Sequence, residues 1–227
     1  MSLNFSYDDL RTNSNASASL QKQDGDFTDL AAIYGFTYDK RNRSFMPTDG
    51  SVFGFVQSLP IYADKPFIDN TFRFSTYHEF NENYVGSGKI FLSAINGLND
   101  EDVRLSKRKS LSTRRLRGFS KGKIGPVDGN DHIGGNYAAA VNFDVNLPNL
   151  LPDSSNTDVS FFVDFGNVWE VDYDDSLDDS NKLRSSTGIN ASWISPIGPM
   201  TFTLATNLSK ASTDTTESFN FNLGTSF

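Results

Sequence analysis

Acidic side chains are concentrated in one short stretch whose composition could suggest a calcium site. Five aspartates lie between residues 172 and 179. An EF-hand loop starting there requires glycine at its sixth position and glutamate at its twelfth, but Leu177 and Leu183 stand at these positions. The stretch is therefore expected to be a solvated loop that binds no metal ion.

A second stretch, Val85-Gly86-Ser87-Gly88-Lys89, has part of the pattern of a phosphate-binding loop. The full pattern requires another glycine where Asn83 stands and a serine or threonine where Ile90 stands. Small residues in a strand that faces a crowded interior explain this stretch better than a bound phosphate does.

The residue types that most often carry catalysis are scarce. The two histidines, His78 and His132, are far apart, and neither belongs to a His-Glu-x-x-His motif. No Gly-x-Ser-x-Gly motif supplies a nucleophile, and the absence of cysteine excludes disulfides and thiolate metal sites. The chain is expected to be neither an enzyme nor a metalloprotein, and to need no cofactor.

Alternation of apolar and polar residues is the main structural signal in the sequence, because successive strand residues point to opposite faces of a sheet. Residues 200–208 alternate in this way, and so do residues 137–147 and 219–227. In the second of these stretches the apolar face consists of Ala139, Val141, Phe143, Val145 and Leu147, and the polar face of Ala140, Asn142, Asp144 and Asn146. In the last stretch the apolar face consists of Phe219, Phe221, Leu223, Thr225 and Phe227.

Weaker alternation brings the total to about ten strands of mostly 9 to 12 residues, which is the length that a tilted strand needs to cross a bilayer. No apolar run approaches the roughly 18 residues of a spanning helix. The 20 phenylalanines and eight tyrosines fit the outer band and girdles of a membrane barrel. We therefore predict an all-β fold, an antiparallel transmembrane β-barrel. The weaker strands are predicted at residues 3–7, 29–38, 50–59, 68–78, 84–96, 157–169 and 183–194.

The connections between the predicted strands fall into two alternating sets. One set is compact and rich in proline, glycine, asparagine or aspartate, as periplasmic turns are: residues 38–50, 80–84, 147–157 and 195–200. The other is mostly longer and charged, as extracellular loops are: residues 9–28, 97–135, 170–182 and 209–217. This assignment places the C-terminus at the periplasmic rim.

The connection at residues 97–135, here called the long loop, is unusual in length and charge. Its roughly 39 residues exceed ordinary connections, and loops of this length tend to be functional or disordered. Nine basic residues lie between Arg104 and Lys123, which could suggest nucleic-acid binding. No aromatic residue is interleaved with them before Phe119, and the net charge of the chain is −8, so no nucleic-acid partner is expected.

Several motifs, in order along the chain, resemble the C-terminal barrel of the BamA family of outer-membrane protein assembly factors. That family belongs to a wider superfamily that includes TamA and the two-partner secretion transporters. The motifs are Tyr38-Asp39-Lys40, Pro47-Thr48-Asp49-Gly50, Leu116-Arg117-Gly118-Phe119, Ile124-Gly125-Pro126, Gly134-Gly135-Asn136, Asp164-Phe165-Gly166-Asn167-Val168-Trp169, Ser195-Pro196-Ile197-Gly198-Pro199 and Phe221-Asn222-Leu223-Gly224.

The resemblance implies that the long loop folds back into the barrel lumen, where its arginine meets an acidic and an aromatic residue of one strand. The loop residues that match are Arg117, Gly118 and Phe119, and the matching strand residues are Phe162, Asp164 and Gly166. Alternation independently places these three strand residues on one face. A charge-assisted and bidentate pair with Arg117 would satisfy Asp164, and Gly118 would allow the tight turn.

The end of the chain resembles the family's β-signal, an alternating C-terminal strand with a terminal aromatic residue. Its carriers here are Phe219, Phe221, Leu223, Gly224 and Phe227. The unpaired edge of such a strand can template an incoming strand, and the family's proposed seam admits nascent barrels there.

By this resemblance the chain assists the folding and insertion of β-barrel proteins in the bacterial outer membrane. The implied partners are outer-membrane lipids, nascent barrel proteins and, through the parent protein, assembly-complex lipoproteins. The family has periplasmic POTRA domains and about sixteen strands, whereas this sequence has no POTRA domain, about ten strands and no export signal at its start. Residues 1–227 are thus interpreted as one C-terminal segment, a partial barrel, of a longer protein.

Two alternative functions stay open. A related barrel passes a polypeptide through its pore, as transporters of the two-partner secretion or TamA type do, and upstream domains would discriminate this function from assembly. A porin or purely structural barrel would also explain the alternation, but it has no evident need for an Arg-Gly-Phe loop.

Overall fold

The protein is folded as one long antiparallel sheet with a loop packed on its inner face. The computed structural model describes residues 1–44, 46–81, 84–147, 157–195 and 198–224. The elements in chain order are β1 (Ser2–Leu10), α1 (Ala18–Gln21), β2 (Gly25–Asp39), β3 (Gly50–Ala63), β4 (Phe67–Asn81), β5 (Tyr84–Gly97), β6 (Val127–Asp128), β7 (Asp131–His132), β8 (Tyr137–Asn146), β9 (Thr157–Trp169), β10 (Arg184–Ser195), β11 (Gly198–Ser209) and β12 (Phe219–Leu223).

The strands of the main sheet follow the order of the chain. Ten strands pair antiparallel as β1-β2-β3-β4-β5-β8-β9-β10-β11-β12, and the small hairpin β6–β7 lies within the connection from β5 to β8. Among the described residues, β1 and β12 are the two ends of the sheet, which is not closed into a complete barrel. The prediction of an all-β fold with about ten antiparallel strands is confirmed.

The two faces of the sheet differ as the alternation predicted. On β8, Phe143 and Val145 are exposed on the outer face, whereas the side chains of Ala138 and Ala140 are buried on the inner face. Aromatic rings also cover the outer face of β2 to β4, where the ring centroids of Phe36 and Phe53 are 5.9 Å apart. Such a continuous apolar outer face is typical of a transmembrane β-sheet in contact with lipid. Among the described residues, no helix has the length and apolar composition that crossing a bilayer would require.

The connections give the sheet two distinct ends. We call the end with the connections 40–49, 82–83, 147–156 and 196–197 the turn end, and the opposite end, with the connections 11–24, 64–66, 98–136, 170–183 and 210–218, the loop end. At the loop end, Leu20, Ile133 and Val171 from three different connections form a buried cluster. The loops therefore pack on one another.

Several strands are longer than predicted. β2 begins at Gly25 rather than residue 29, and β3 continues to Ala63 rather than residue 59. The added residues are polar or irregular in pattern, so alternation could not predict them. They are in strands because they pair with neighbouring strands at the loop end, as Leu10 does with Gly25. β12 ends at Leu223, and the predicted continuation of this strand at residues 225–227, with Phe227, lies outside the described residues.

Candidate functional site

The long loop, which the structure bounds at residues 98 and 136, packs its apolar side chains against the inner face of the sheet. The loop contributes Leu111, Leu116, Phe119 and Ile124 to a buried cluster. The sheet contributes Phe91, Ala138, Ala140 and Val168 to the same cluster. Burial of this apolar surface holds the loop against the inner face of the sheet, here called the wall. It also brings the polar motif around Arg117 into contact with this wall.

Arg117 and Asp164 form a bidentate ion pair at this wall. Nε of Arg117 donates to Oδ2 of Asp164 at 2.7 Å, and a terminal guanidinium nitrogen donates to Oδ1 at 2.6 Å. The backbone N–H of Arg117 also donates to Oδ2, at 3.0 Å. Asp164 is fully buried, so these charge-assisted bonds replace the water that its carboxylate would otherwise bind.

A second carboxylate shares the arginine. The other terminal nitrogen of Arg117 donates to Asp144 at 2.6 Å, and Lys89 donates to the same carboxylate at 3.2 Å. Asn142 donates to Asp164 at 2.8 Å and to the backbone oxygen of Arg115 at 2.9 Å. Burial acts to lower the pKa of Arg117, but the hydrogen bonds and charges of Asp164 and Asp144 outweigh burial and raise this pKa. The guanidinium is therefore held in its charged form.

The remaining motif residues are in close contact with this pair. The guanidinium carbon of Arg117 lies 3.7 Å from the centroid of the Phe162 ring, within cation–π distance. Gly118 has φ +87°, and a Cβ added there would meet Ala205 Cβ at 3.2 Å. At Gly166 an added Cβ would meet Leu116 Cδ1 at 3.3 Å, so the missing side chain makes room for the loop.

Backbone oxygens of the motif are bound by two further strands. The hydroxyl of Ser186 on β10 donates to the carbonyl of Arg117. The amide of Asn207 on β11 donates to the carbonyl of Gly118 at 2.9 Å. Together with Asp144 on β8 and Asp164 on β9, these contacts connect the motif to four consecutive strands.

Many of the basic residues of the long loop form ion pairs with carboxylates that lie outside this loop. Arg108 pairs with Asp172 at 2.6 Å, and Lys107 pairs with Asp8 at 3.0 Å. Arg104 pairs with Asp29, and Lys109 pairs with Asp69. These cations therefore fix the loop end of the sheet and do not form a free surface for nucleic acid.

Arg115 differs from these cations in its environment, because it has no carboxylate within ion-pair distance among the described residues. Its guanidinium lies over the ring of Phe91, with 3.5 Å between the guanidinium carbon and the ring centroid. Burial lowers the pKa of Arg115 to about 10, and the charge of Arg73 contributes in the same direction.

The acidic stretch near residue 172 is likewise part of the loop packing. Asp172 binds Arg108, and Asp179 pairs with Arg184 at 2.5 Å. Within the described ranges, no group of three or more histidine or acidic side chains is arranged to hold a metal ion.

The last described strand exposes its apolar face outward. Phe219, Phe221 and Leu223 are exposed, and the Phe221 ring centroid lies 5.0 Å from that of Phe202 on β11. The N–H of Gly224 donates to the carbonyl of Pro199 at 2.8 Å. The other edge of β12 has no neighbouring strand among the described residues, so the strand presents backbone groups at the end of the sheet.

Sequence reasoning missed the second acceptor and the backbone anchors. Alternation had placed Asp144 on the polar face of its strand, but nothing in the sequence paired it with Arg117. Ser186 and Asn207 gave no comparable signal, because short polar residues are common on the inner face of any membrane barrel.

Comparisons with known proteins give the same fold and family. The chain is 28% identical over 195 residues to the outer membrane protein assembly factor BamA of Nitratidesulfovibrio vulgaris, covering 82% of this chain and 24% of that protein. It is 27% identical over 202 residues to BamA of Neorickettsia risticii, covering 87% of this chain and 27% of that protein. The chain therefore spans about a quarter of the length of these relatives, which are 24% and 27% covered.

A solved structure agrees over nearly the whole chain. The crystal structure of BamA from Haemophilus ducreyi lacking POTRA domains 1-3 superposes with a TM-score of 0.86 at 25% identity. The superposition covers 96% of this chain and 49% of that one. The sequence profile of the Omp85 superfamily domain matches residues 1–227. With its profile, its relatives and its fold in agreement, the chain belongs to the Omp85 superfamily.

Proposed function

We propose that this chain is the C-terminal barrel segment of an outer-membrane protein assembly factor, which assists the folding and insertion of β-barrel proteins. The observation that carries the proposal is the docked Arg117 motif, in which the guanidinium binds Asp164 and Asp144 on the inner face of the sheet. The names of the matched relatives support it, because those relatives are outer membrane protein assembly factors.

The proposed activity needs strand templating rather than bond chemistry. β12 lies at the end of the sheet, and an unpaired edge can hydrogen-bond to an incoming strand. Hydrocarbon strengthens the tendency to pair, because each unsatisfied backbone group there costs several kcal/mol. We propose that Phe219, Phe221, Leu223 and Gly224, with Phe227 beyond the described residues, form this seam strand. No catalytic group or cofactor has a role in this proposal.

The proposal places the sheet in the bacterial outer membrane with the turn end, and the C-terminus, on the periplasmic side. Three of the five loop-end connections have 14 residues or more, whereas no turn-end connection has more than ten. This difference supports the orientation, because outer-membrane barrels have short periplasmic turns and longer extracellular loops. The partners would be outer-membrane lipids, nascent barrel proteins and, through the rest of the protein, assembly lipoproteins.

Complementation tests the proposal. The full-length gene should restore outer-membrane protein assembly in cells depleted of their own assembly factor. Arg117→Ala should fail to restore it, because the loop would lose its main polar anchor. Arg114→Ala is the matched control, since Arg114 is an exposed arginine of the same loop, and this variant should restore assembly.

Two results would contradict the proposal. If the correctly localised wild-type protein failed to restore assembly, a polypeptide transporter of the two-partner secretion or TamA type would be favoured. If Arg117→Ala restored assembly as well as Arg114→Ala, the docked motif would not be required.

A further inference from the structure

The last strand is much shorter than its neighbour. Within the described part of the chain, β12 has five residues, whereas β11 has twelve. Their pairing runs from Met200 with Leu223 to Leu204 with Phe219. The last backbone contact in this direction is the N–H of Ala205, which donates to the carbonyl of Ser218 at 2.9 Å. The chain before Ser218 therefore leaves the edge of β11 within the loop-end half of the sheet.

The residues that leave the edge pair instead with the long loop. Phe119 and Thr216 form an isolated antiparallel bridge. The N–H of Glu217 donates to the carbonyl of Gly118 at 3.1 Å, and that of Ser120 donates to the carbonyl of Thr215 at 3.0 Å. A short stretch of the loop thus takes the place that β11 would have as the strand partner of residues 215–217.

This pairing is anchored by the docked motif itself. Gly118 directly follows Arg117, and its carbonyl accepts hydrogen bonds from both Glu217 and Asn207. Phe119 is buried in the cluster that holds the loop on the wall. Displacement of Arg117 from Asp164 would therefore disturb the partner of residues 215–217 as well.

We propose that the long loop holds residues 215–217 away from β11, and that release of the loop lets them rejoin it. The inference rests on the proposed assembly function, because it concerns how much of the terminal edge is available to an incoming strand. If the register of β11 and β12 continues, Leu208 faces Thr215, and β12 grows by about four residues toward the loop end. Serine and threonine at residues 215, 216 and 218 are compatible with an extended strand.

Two alternative disulfides can distinguish the two arrangements, because the chain contains no cysteine of its own. Thr215→Cys is combined with Ser120→Cys to report the loop-bound arrangement. In a second protein Thr215→Cys is combined with Leu208→Cys to report the extended strand. Both pairs are oxidised in the full-length protein in its native membrane, with and without Arg117→Ala, and each single-cysteine protein serves as a blank.

The expected result is a reciprocal change. With Arg117 present, the disulfide between residues 120 and 215 should dominate. Arg117→Ala should lower its yield and raise that of the 208–215 disulfide, changing the ratio by at least about tenfold, because loss of a buried ion pair shifts such equilibria by more than a decade. Loss of the first disulfide without a gain in the second would overturn the proposal, and so would an unchanged ratio.

An activity measurement on the first cysteine pair separates this inference from the proposed function. The oxidised protein should assemble outer-membrane proteins more slowly than the same protein after reduction. The Val127→Cys and His132→Cys pair is the control, since these residues face each other within the hairpin β6–β7, and its oxidation should leave assembly unchanged. A reduced protein without any assembly activity would contradict the proposed function. The ratio of the two disulfides would still show whether the long loop holds residues 215–217 away from β11. Equal rates before and after oxidation of the 120–215 pair would overturn the regulatory inference.

Discussion

At the scale of single residues, the Arg117 motif is one of the centres of buried polar contacts in the structure. Arg117 binds two carboxylates, one of them fully buried. A buried pair is weak evidence of net stability, because desolvation offsets most of the attraction, but removal of one partner costs about 3–5 kcal/mol. The pair is thus better understood as a device that fixes the position of the loop.

Gly118 allows a prediction with a matched control in the same loop. Gly118 has φ +87° and lies against Ala205, Asn207 and Ser186, whereas Gly122 has φ +66° and nothing within 4 Å of an added Cβ. Both alanine substitutions should lower the free energy of unfolding by about 1–2 kcal/mol for the left-handed backbone. Gly118→Ala should cost about 1–3 kcal/mol more, because it overpacks the wall.

Urea unfolding of both variants in lipid vesicles would measure this difference. Equal losses of unfolding free energy for Gly118→Ala and Gly122→Ala would show that the close approach of the loop to β10 and β11 is not maintained in the membrane.

The sequence predicted part of this site. Alternation placed Phe162, Asp164 and Gly166 on the inner face, and the motif resemblance matched them with Arg117. Asn207 and residues 215–217 were not predicted as partners of the loop. These contacts use backbone groups and short polar side chains, which carry no distinctive pattern, and they join parts of the chain that are about 90 residues apart.

At the scale of elements, Arg184 connects two loop-end connections. Its guanidinium is fully buried and pairs with Asp179 at 2.5 Å and with Asp214 at 2.8 Å. Arg184→Ala would leave the buried Asp214 without this partner, at a cost of about 3–5 kcal/mol. We therefore expect the connection 210–218 to open locally and to be cleaved several-fold faster by an added protease.

Arg11→Ala is the control for this prediction, because Arg11 and its carboxylate partners are more than half exposed, at 57% and 53%. Such exposed pairs contribute about 0–1 kcal/mol, so cleavage of 210–218 should not change. If Arg184→Ala were cleaved no faster than Arg11→Ala, the ion pairs of Arg184 would not hold these loops.

The elements themselves were largely predictable, since strands such as β9 have the predicted bounds, residues 157–169. The hairpin β6–β7 and helix α1 were not predicted. Each is too short to show a period, and each is stabilised by packing among loops that are remote in sequence, as with Leu20 and Ile133.

At the scale of the whole molecule, the structure is a sheet whose inner face is occupied by its own loop and whose two end strands each have only one neighbouring strand among the described residues. Edges of this kind are costly in hydrocarbon, since their backbone groups would be unsatisfied. The chain covers 49% of the superposed BamA chain, so in a complete barrel other strands would lie beside these edges. The proposed function depends on one such edge remaining available for pairing.

Insertion of a barrel protein into lipid vesicles measures the proposed assembly activity itself. The full-length protein is reconstituted in phospholipid vesicles, a urea-denatured outer-membrane barrel protein is added, and its folding is followed by protection from protease. We expect the wild-type protein and Arg114→Ala to accelerate folding well above the rate in empty vesicles, and Arg117→Ala not to. Folding at the rate of empty vesicles with the wild-type protein, or equal acceleration by Arg117→Ala, would rule out assembly through the docked Arg117 motif.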